Sequence, residues 1–200
     1  MKNIVIFDAE YTAWEGSLKR GWSEDWEHRE LVQISAIKIH PLTLEQLSPP
    51  LDIIVKPRIN YVLSDYFINL TSITNQDVEE KGIDYLEALN EFNKFITDCE
   101  IYSFGDDCPI INEGITLYNL ENKLTELKGN DIRAWAKSIG IDISKKLPDG
   151  KAFTSGTFAE AIGADFKTTA HYALNDVLSI YAAVKYLIEE KGIENPFIKS

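Results

Sequence analysis

"IVIFDAEYT", residues 4–12, runs four consecutive apolar residues directly into a pair of carboxylates, Asp8 and Glu10. The apolar run predicts a strand over residues 3–7 that is buried on both faces. Residues two apart in a strand face the same side, so both carboxylates would lie together where the buried strand ends. Two carboxylates placed in this way are costly unless a positive charge compensates them, and the pair is therefore a candidate cation site.

The same Asp-x-Glu spacing occurs twice more, at Asp77 with Glu79 and at Asp98 with Glu100. These copies lie in or beside predicted helices, where residues two apart point about 200° away from each other. Such a pair cannot hold one ion together, and we interpret both copies as solvated surface charge. The first pair is distinguished by its placement at the end of a buried strand.

The sequence "HYALND", residues 171–176, is the only place where a histidine is followed five residues later by an aspartate. Five helical residues turn about 500°, so His171 and Asp176 cannot share one helix face. We expect His171 at the entrance of a helix over residues 172–192 and Asp176 in its second turn. This arrangement suits a base that titrates near neutral pH beside a fixed metal ligand. The alternative is a histidine that packs at the helix start or caps it.

A third signal, "YSFGDDC" at residues 102–108, places Asp106 and Asp107 after a strand that ends at Gly105. Tandem acids are common in turns, so a simple helix cap is the alternative to a functional role. The weight of this signal comes from its occurrence together with the other two.

The chain has 200 residues with 44% hydrophobic content, which predicts one domain with a sizeable core over residues 1–200. No apolar stretch approaches the length of a membrane span and no signal-peptide pattern precedes Asp8, so we expect no membrane association and a cytoplasmic protein. Cys99 and Cys108 form no CxxC pair, so we expect neither a disulfide framework nor a zinc site.

The formal net charge of −12 constrains the nucleic acids that could be partners. Long duplexes are normally held by a surplus of lysine and arginine that releases counterions. An acidic protein that binds nucleic acid must therefore bind a short segment, bind weakly, or bind through metal ions.

The order of the predicted elements indicates a mixed α/β protein. Strands are predicted over residues 3–7, 29–40, 51–57 and 100–104. The first three strands suggest an antiparallel meander, and helices follow. One short helix is expected to end at Gly82, and another is expected to begin with a Ser155 or Thr157 cap and to end at Gly163.

Three tryptophans, Trp14, Trp22 and Trp26, lie in the long connection after the first strand, residues 13–30. Aromatic side chains in such a loop can stack on the bases of a single strand. They can equally anchor the loop on the protein core. The sequence leaves both interpretations open.

Together the three acidic signals, in this order and separation, resemble the DEDDh 3′-5′ exonucleases, the DnaQ-like family with a ribonuclease H-like fold. That family carries an Asp-x-Glu on its first strand, an Asp after a later strand and a His-x4-Asp at its last helix. Residues 55–96 are similar to the family's proline-containing strand end, its Leu-Thr-x-Ile-Thr turn and the helix that follows. The resemblance covers residues 3–188, and "SFGDD" is similar to the Ser-Trp-Gly version in the branch of RNA-trimming exonucleases.

The resemblance implies a central mixed five-stranded sheet flanked by helices, and a metal-dependent exonuclease that releases nucleoside 5′-monophosphates. Two ions, Mg²⁺ or Mn²⁺, would be held by Asp8, Glu10, Asp107 and Asp176. By similarity, His171 would be the general base. The 3′-terminal nucleotide would be contacted by Tyr11, Thr12, Leu70 and Ile73.

Asp107 is preferred over Asp106 as the third acid of the resemblance. Family members place two apolar residues three and four positions after this acid, and Ile110 and Ile111 stand at those positions after Asp107. Asp106 is the alternative.

The implied substrate is single-stranded or short RNA or DNA with a free 3′ end, with RNA slightly favoured. One alternative is a non-catalytic binding or regulatory module on the same fold, although a scaffold has no reason to retain a complete set of repelling carboxylates. A second alternative is an endonuclease or transposase-like member of the broader fold, against which the His-x4-Asp element argues. The sequence does not indicate an oligomeric state.

Overall fold

A mixed five-stranded sheet forms the centre of the computed structural model, which describes residues 1–105 and 107–198. Its strands are β1 (Asn3–Tyr11), β2 (Leu31–Ile39), β3 (Leu51–Ile54), β4 (Cys99–Ser103) and β5 (Asn130–Asp131). They lie side by side in the order β3-β2-β1-β4-β5. The β1–β2 and β2–β3 pairs are antiparallel, whereas the β1–β4 and β4–β5 pairs are parallel. The predicted mixed sheet and its antiparallel first half are confirmed.

Eight helices flank this sheet over the described residues. They are α1 (Ser17–Arg20), α2 (Asp65–Thr71), α3 (Asn75–Lys81), α4 (Tyr85–Phe95), α5 (Asp107–Leu117), α6 (Ile132–Ser138), α7 (Phe158–Ala161) and α8 (Ala173–Glu189). None of these helices is long and apolar enough to cross a membrane. The mixed sheet and the helices that flank it confirm the predicted α/β class.

The first strand is longer than its apolar run predicts. β1 continues to Tyr11 because β2 pairs with it throughout, with Asp8 opposite Ser35 and Glu10 opposite Gln33. The register shifts between Glu10 and Tyr11, as in a β-bulge. Both carboxylates therefore lie inside a paired strand and do not extend beyond its end.

Other element ends also differ from the sequence pattern. β3 ends at Ile54, and Val55 forms only an isolated bridge with Ile83. The predicted short helix before Gly82 is α3, but α2 precedes it and was not predicted. Ser64 starts α2 by accepting a hydrogen bond from the Phe67 N–H, which is a local cap signal.

The two faces of β1 bury different layers of the core. Val5 and Phe7 pack in the cluster that includes α4 and α5, whereas Ile4 and Ile6 pack in the cluster that includes α8. Because side chains alternate along a strand, the even-numbered Asp8 and Glu10 follow Ile4 and Ile6 on the α8 side. The sheet thus directs the acidic pair toward the helix that carries Asp176.

Candidate active site

Three of the predicted site residues meet where β1 approaches the start of α8. One ligand atom each from Glu10, His171 and Asp176 lies within 4.8 Å of the others. Asp176 is buried, whereas Glu10 and His171 are half-buried. Such a set of oxygen and nitrogen atoms is suited to a divalent cation.

Two further acids complete this cluster. Asp8 is only 6% exposed and interacts electrostatically with Glu10, Asp107 and Asp176. Asp107 is buried at the first position of α5 and lines the same cleft as Asp8. It arrives there because β4 runs parallel to β1, so both strands end at the same edge of the sheet. Asp106, the alternative third acid, lies outside the described residues.

The carboxylates of this cluster are held in an unfavourable environment for negative charge. Burial raises the pKa of Asp8 well above its usual range, and the charges of Asp107, Asp176 and Glu10 raise it further. Burial followed by the charges of Asp176 and Asp107 likewise raises the pKa of Glu10. Burial also raises the pKa of Asp176 to about 6. A bound cation would favour the ionised forms, because an opposite charge lowers a carboxylate pKa.

Asp176 is fixed by three hydrogen bonds from the chain around it. The Ser155 hydroxyl donates to Oδ2 at 2.8 Å, the His171 backbone N–H donates to Oδ1 at 3.1 Å, and the Gly156 N–H also donates. The Ser155 hydroxyl forms a hydrogen bond with Asp8 as well. Ser155 therefore links two carboxylates that belong to different elements.

The turn at Gly156 approaches Asp176 so closely that only glycine fits. A Cβ at Gly156 would lie 2.3 Å from Asp176 Oδ1 and 2.6 Å from the Cβ of Ala170. The sequence predicts that the next helix begins with a Ser155 or Thr157 cap, and Thr157 is the N-cap residue of α7. Its side chain makes no capping hydrogen bond; the hydroxyl accepts from the Thr154 N–H and donates to the Ala152 carbonyl.

His171 stands just before α8, next to its N-cap residue Tyr172, as the sequence predicts. Asp176 lies in the first turn, so the prediction of the second turn is wrong. His171 has φ 65°, a left-handed conformation that is uncommon for residues other than glycine. Burial lowers the pKa of His171, which favours the neutral imidazole that can accept a proton.

A buried glutamine ties the start of α8 to the sheet, and sequence reasoning did not select it. Gln33 Oε1 accepts from the Ala173 N–H at 2.9 Å, and Gln33 Nε2 donates to Asp52 Oδ1 at 2.8 Å. The Tyr172 hydroxyl donates to Asp52 Oδ2 at 3.2 Å. The only local signal was a polar residue within a buried strand.

The acids lie in a cleft with a cavity volume of about 790 Å³, and two of the predicted nucleotide contacts, Tyr11 and Leu70, line it. Thr12 and Ile73 are 2% exposed, and the structure does not bring their side chains to the cleft. The Thr12 hydroxyl donates to the His28 carbonyl at 2.6 Å, and Ile73 packs in an apolar cluster behind the cleft.

The cleft has lining residues that the sequence motifs did not identify. Phe104 and Arg133 line it near Asp107, and Trp22 lines it near Tyr11. Phe104 lies inside the "SFGDD" motif, so the sequence could have identified it as a residue of the site. Arg133 follows a short strand that no pattern predicted.

The tryptophan-rich connection is partly packed and partly exposed. Trp22 contacts Tyr11 edge-on with a centroid distance of 5.5 Å and donates its indole N–H to the Thr12 carbonyl at 2.9 Å. Trp14 packs edge-on against Trp26 at 4.9 Å, and Trp26 stays 51% exposed. The connection is therefore anchored to the protein and still offers aromatic surface.

Comparison with known proteins shows the family and the fold of this chain. The family model RNase_T, described as Exonuclease, matches residues 5–184. No curated protein matches the chain. Among solved structures, the chain is similar to the nuclease domain of 3′hExo, a DEDDh family member bound to rAMP, with 20% identity and a TM-score of 0.76. This alignment covers 94% of this chain and 92% of the other.

Two further solved structures have the same fold. The chain is similar to cell-death related nuclease 4 (CRN-4), with 14% identity and a TM-score of 0.69 over 95% of this chain and 64% of the other. It is also similar to E. coli Exonuclease I in complex with a dA16 oligonucleotide, with 16% identity and a TM-score of 0.67. That alignment covers 96% of this chain and 42% of Exonuclease I.

Proposed function

The chain belongs to the RNase_T exonuclease family, of the DEDDh type, and from this premise we propose that residues 1–200 form a single 3′-5′ exonuclease domain. The proposed reaction is metal-dependent hydrolysis of single-stranded ends to nucleoside 5′-monophosphates. One observation carries this proposal: the acids Asp8, Glu10, Asp107 and Asp176 converge beside His171, with raised pKa values for three of them. Asp8, Glu10, Asp107 and His171 line one cleft.

The residues of the cleft fit a divalent metal site. Four carboxylates supply hard oxygen atoms, which favour Mg²⁺ or Mn²⁺ over softer metals. We assign Asp8, Glu10, Asp107 and Asp176 to hold two such ions. When bound, the ions supply positive charge that stabilises the attacking and leaving oxygens of a phosphodiester.

His171 is assigned as the general base. Burial lowers its pKa, so the neutral imidazole is available to take a proton from the attacking water. Its backbone N–H donates to Asp176, and Gln33 fixes the following residues, so the imidazole is held at the edge of the carboxylate cluster. Gln33 and Ser155 act here as positioning residues.

The proposed substrate is the 3′ end of a single-stranded or short RNA or DNA. Two bound divalent ions would change the formal charge from −12 to about −8, which leaves the protein acidic and unsuited to long duplexes. The solved structures that this chain is similar to include a 3′-exonuclease that recognises the 3′ end of histone mRNA stem-loop and an exonuclease in complex with a dA16 oligonucleotide. The "SFGDD" resemblance favours RNA slightly, and a cytoplasmic location is part of the proposal.

A gel assay tests this function directly. Wild type and Asp8→Asn are incubated with 5′-labelled single-stranded RNA and DNA of one sequence, in Mg²⁺, Mn²⁺ or EDTA. We expect a metal-dependent ladder that shortens from the 3′ end with wild type, and a rate at least about 100-fold lower with Asp8→Asn. Asp98→Asn is the matched control, because Asp98 begins another Asp-x-Glu and is exposed with a φ of 59° that asparagine tolerates.

Two results would contradict the proposal. Cutting of circular single strands would show an endonuclease, because an exonuclease needs a free end. Absence of shortening with both metals and both sugars would favour a non-catalytic module on this fold.

A further inference from the structure

Large exposed apolar side chains concentrate in two segments, residues 18–26 and 59–66, and one residue of each, Leu18 and Tyr66, lines the catalytic cleft. Among the described residues, six of the ten exposed large apolar side chains come from these two segments. We name these six residues the apolar lip: Leu18, Trp26, Ile59, Tyr61, Val62 and Tyr66. Leu18, Tyr61 and Val62 are 79%, 73% and 62% exposed. Such a concentration of exposed apolar surface marks an interaction site.

The two connections that carry the apolar lip, residues 13–30 and 58–66, are joined by partly buried hydrogen bonds. The carboxylate of Glu30 accepts three backbone N–H bonds from the other connection, donated by Arg58, Ile59 and Asn60 at 2.6, 2.8 and 2.5 Å. The Ser64 hydroxyl donates to the Ala13 carbonyl at 2.5 Å. The exposed side chains therefore project from a fixed junction between the two connections.

The arginines beside the apolar lip are already paired with carboxylates. These pairs are Arg20 with Glu27, Arg29 with Glu113, and Arg58 with Asp84. Their guanidinium charges are therefore largely compensated before any ligand arrives. A strand that passes over this surface meets aromatic and aliphatic groups and three arginines already paired, with Lys19 beside Leu18 as an exposed cation that none of these pairs includes.

The apolar lip is continuous with the catalytic cleft, because Leu18 and Tyr66 line the cavity that also contains Asp8 and Glu10. We propose that the apolar lip binds the unpaired bases immediately 5′ of the terminal nucleotides, by stacking and apolar contact. This proposal rests on the proposed function, since it assumes that a 3′ end occupies the carboxylate cluster. Aromatic surfaces bind successive bases with little regard to sequence.

This assignment explains how a protein with a net charge of −12 holds a polyanion. Binding through bases releases few counterions, so the affinity gained beyond the terminal nucleotides depends weakly on salt. Binding through phosphates would give the opposite behaviour. The salt dependence of that added affinity therefore distinguishes the two modes.

The test measures how affinity grows with strand length. Wild-type protein in Mg²⁺ is titrated with a dinucleotide, with an octanucleotide, and with an octanucleotide whose upstream residues are abasic, each with a non-hydrolysable linkage at its 3′ end. We expect the intact octanucleotide to bind about tenfold tighter than the dinucleotide, and the abasic strand to lose this gain although it keeps every phosphate. The gain should persist when the salt concentration is raised fourfold.

A paired set of surface variants locates the effect on the protein. Adding Tyr61→Ser and Val62→Ser to the same background should reduce the gain with length to about twofold or less. Leu42→Ser with Leu47→Ser is the matched control, because both leucines are exposed apolar residues outside the apolar lip. The control should keep the full gain.

Three outcomes would overturn the assignment. The abasic octanucleotide could bind as tightly as the intact one, or the double lip variant could keep the full gain. The lip variant could instead dissociate a dimer without changing the gain, which would identify a protein interface. A missing 3′ ladder from wild type would overturn the proposed function, whereas the binding titration would still decide the role of the lip.

Discussion

Two buried carboxylates in this molecule, Glu30 and Asp8, have opposite surroundings. Glu30 is 1% exposed and accepts four hydrogen bonds, from the backbone N–H groups of Arg58, Ile59 and Asn60 and from the Tyr118 hydroxyl. Asp8 is 6% exposed, shares the Ser155 hydroxyl with Asp176 and faces three other carboxylates. Donors around Glu30 stabilise its charge, whereas the neighbours of Asp8 oppose its charge.

Glu27 is a second buried acid whose neighbours stabilise its charge. It is buried in the same connection as Glu30, its side chain accepts from Arg20 and Ser17, and the hydrogen bond to Arg20 holds its pKa below the usual range. Burial of an acid is thus not by itself a sign of catalysis. The sign is burial together with like charges, because a bound cation or a proton is then needed to offset the repulsion.

Glu30→Gln should produce the largest change in stability. The amide group would turn an N–H₂ toward backbone N–H donors, so several charge-assisted hydrogen bonds would be lost. We expect the free energy of unfolding to fall by about 3 kcal/mol, measured by urea denaturation in EDTA. An unchanged urea midpoint and slope would show that Glu30 does not hold residues 13–30 and 58–66 together. Glu30 would then no longer be an example of a buried acid with a structural role.

Added metal should stabilise the protein through the acidic cluster around Asp8 and not through Glu30. Mg²⁺ or Mn²⁺ at about 100 times its Kd should raise the free energy of unfolding of wild type by about 2.7 kcal/mol, seen as a higher thermal midpoint. Glu30→Gln should keep this increment from its lower starting value, because its carboxylate is bonded to the N–H groups of residues 58–60 and to Tyr118 and is not one of the assigned metal ligands. Asp8→Asn should lose most of it. Equal increments in wild type and Asp8→Asn would contradict the assigned metal ligands.

Lowering the pH should stabilise the metal-free protein, in contrast to ordinary acid denaturation. Burial raises the pKa of Asp176 from 3.8 to about 6, so the folded state binds a proton before the unfolded state does. Stability should therefore rise through Asp176 by about 1.3 kcal/mol as pH falls from about 7 to about 5. His171, whose pKa is lowered by burial, acts in the opposite direction over this range.

A denaturation series in EDTA over this pH range checks the sign, with Asp176→Asn expected to flatten the curve. The pKa of Asp77 is lowered to about 2 by its hydrogen bonds to Lys81 and Thr74, and it acts in the opposite direction only below about pH 4. The same pH dependence in wild type and Asp176→Asn would contradict the unfavourable environment assigned to this carboxylate.

Ser155→Ala should give the smallest effect in this series. It tests whether the Ser155 hydroxyl positions the carboxylates of the acidic cluster. Loss of the hydroxyl that links Asp8 with Asp176 should weaken Mn²⁺ binding about tenfold in calorimetric titrations. Ser155→Thr keeps the hydroxyl and should restore most of the affinity.

Ser179→Ala is the matched control for this change. Ser179 is a buried serine on α8 whose hydroxyl accepts from the Ala159 N–H and does not contact the acids. Its loss should leave the Mn²⁺ affinity unchanged. Equal affinity for Mn²⁺ in wild type and Ser155→Ala would remove Ser155 from the metal-positioning groups.

The sequence by itself determined those features that depend on neighbours in the chain. The apolar run before Asp8 and the two-residue spacing to Glu10 predict one strand face, and the structure places both on that face. The five-residue spacing between His171 and Asp176 excludes a shared helix face and so predicts His171 at a helix entrance. The structure places His171 just before α8. The family resemblance added Asp107, which the structure brings to the same cleft.

Only the tertiary structure decided which polar side chains meet. Gln33 and Ala173 are 140 positions apart, Glu30 and Tyr118 are 88 apart, and Ser155 bonds to a carboxylate 21 positions away. β1 likewise continues past its apolar run because β2 pairs with it. The role of a buried polar group is set by the partner that it meets, and sheet order and helix packing determine that meeting.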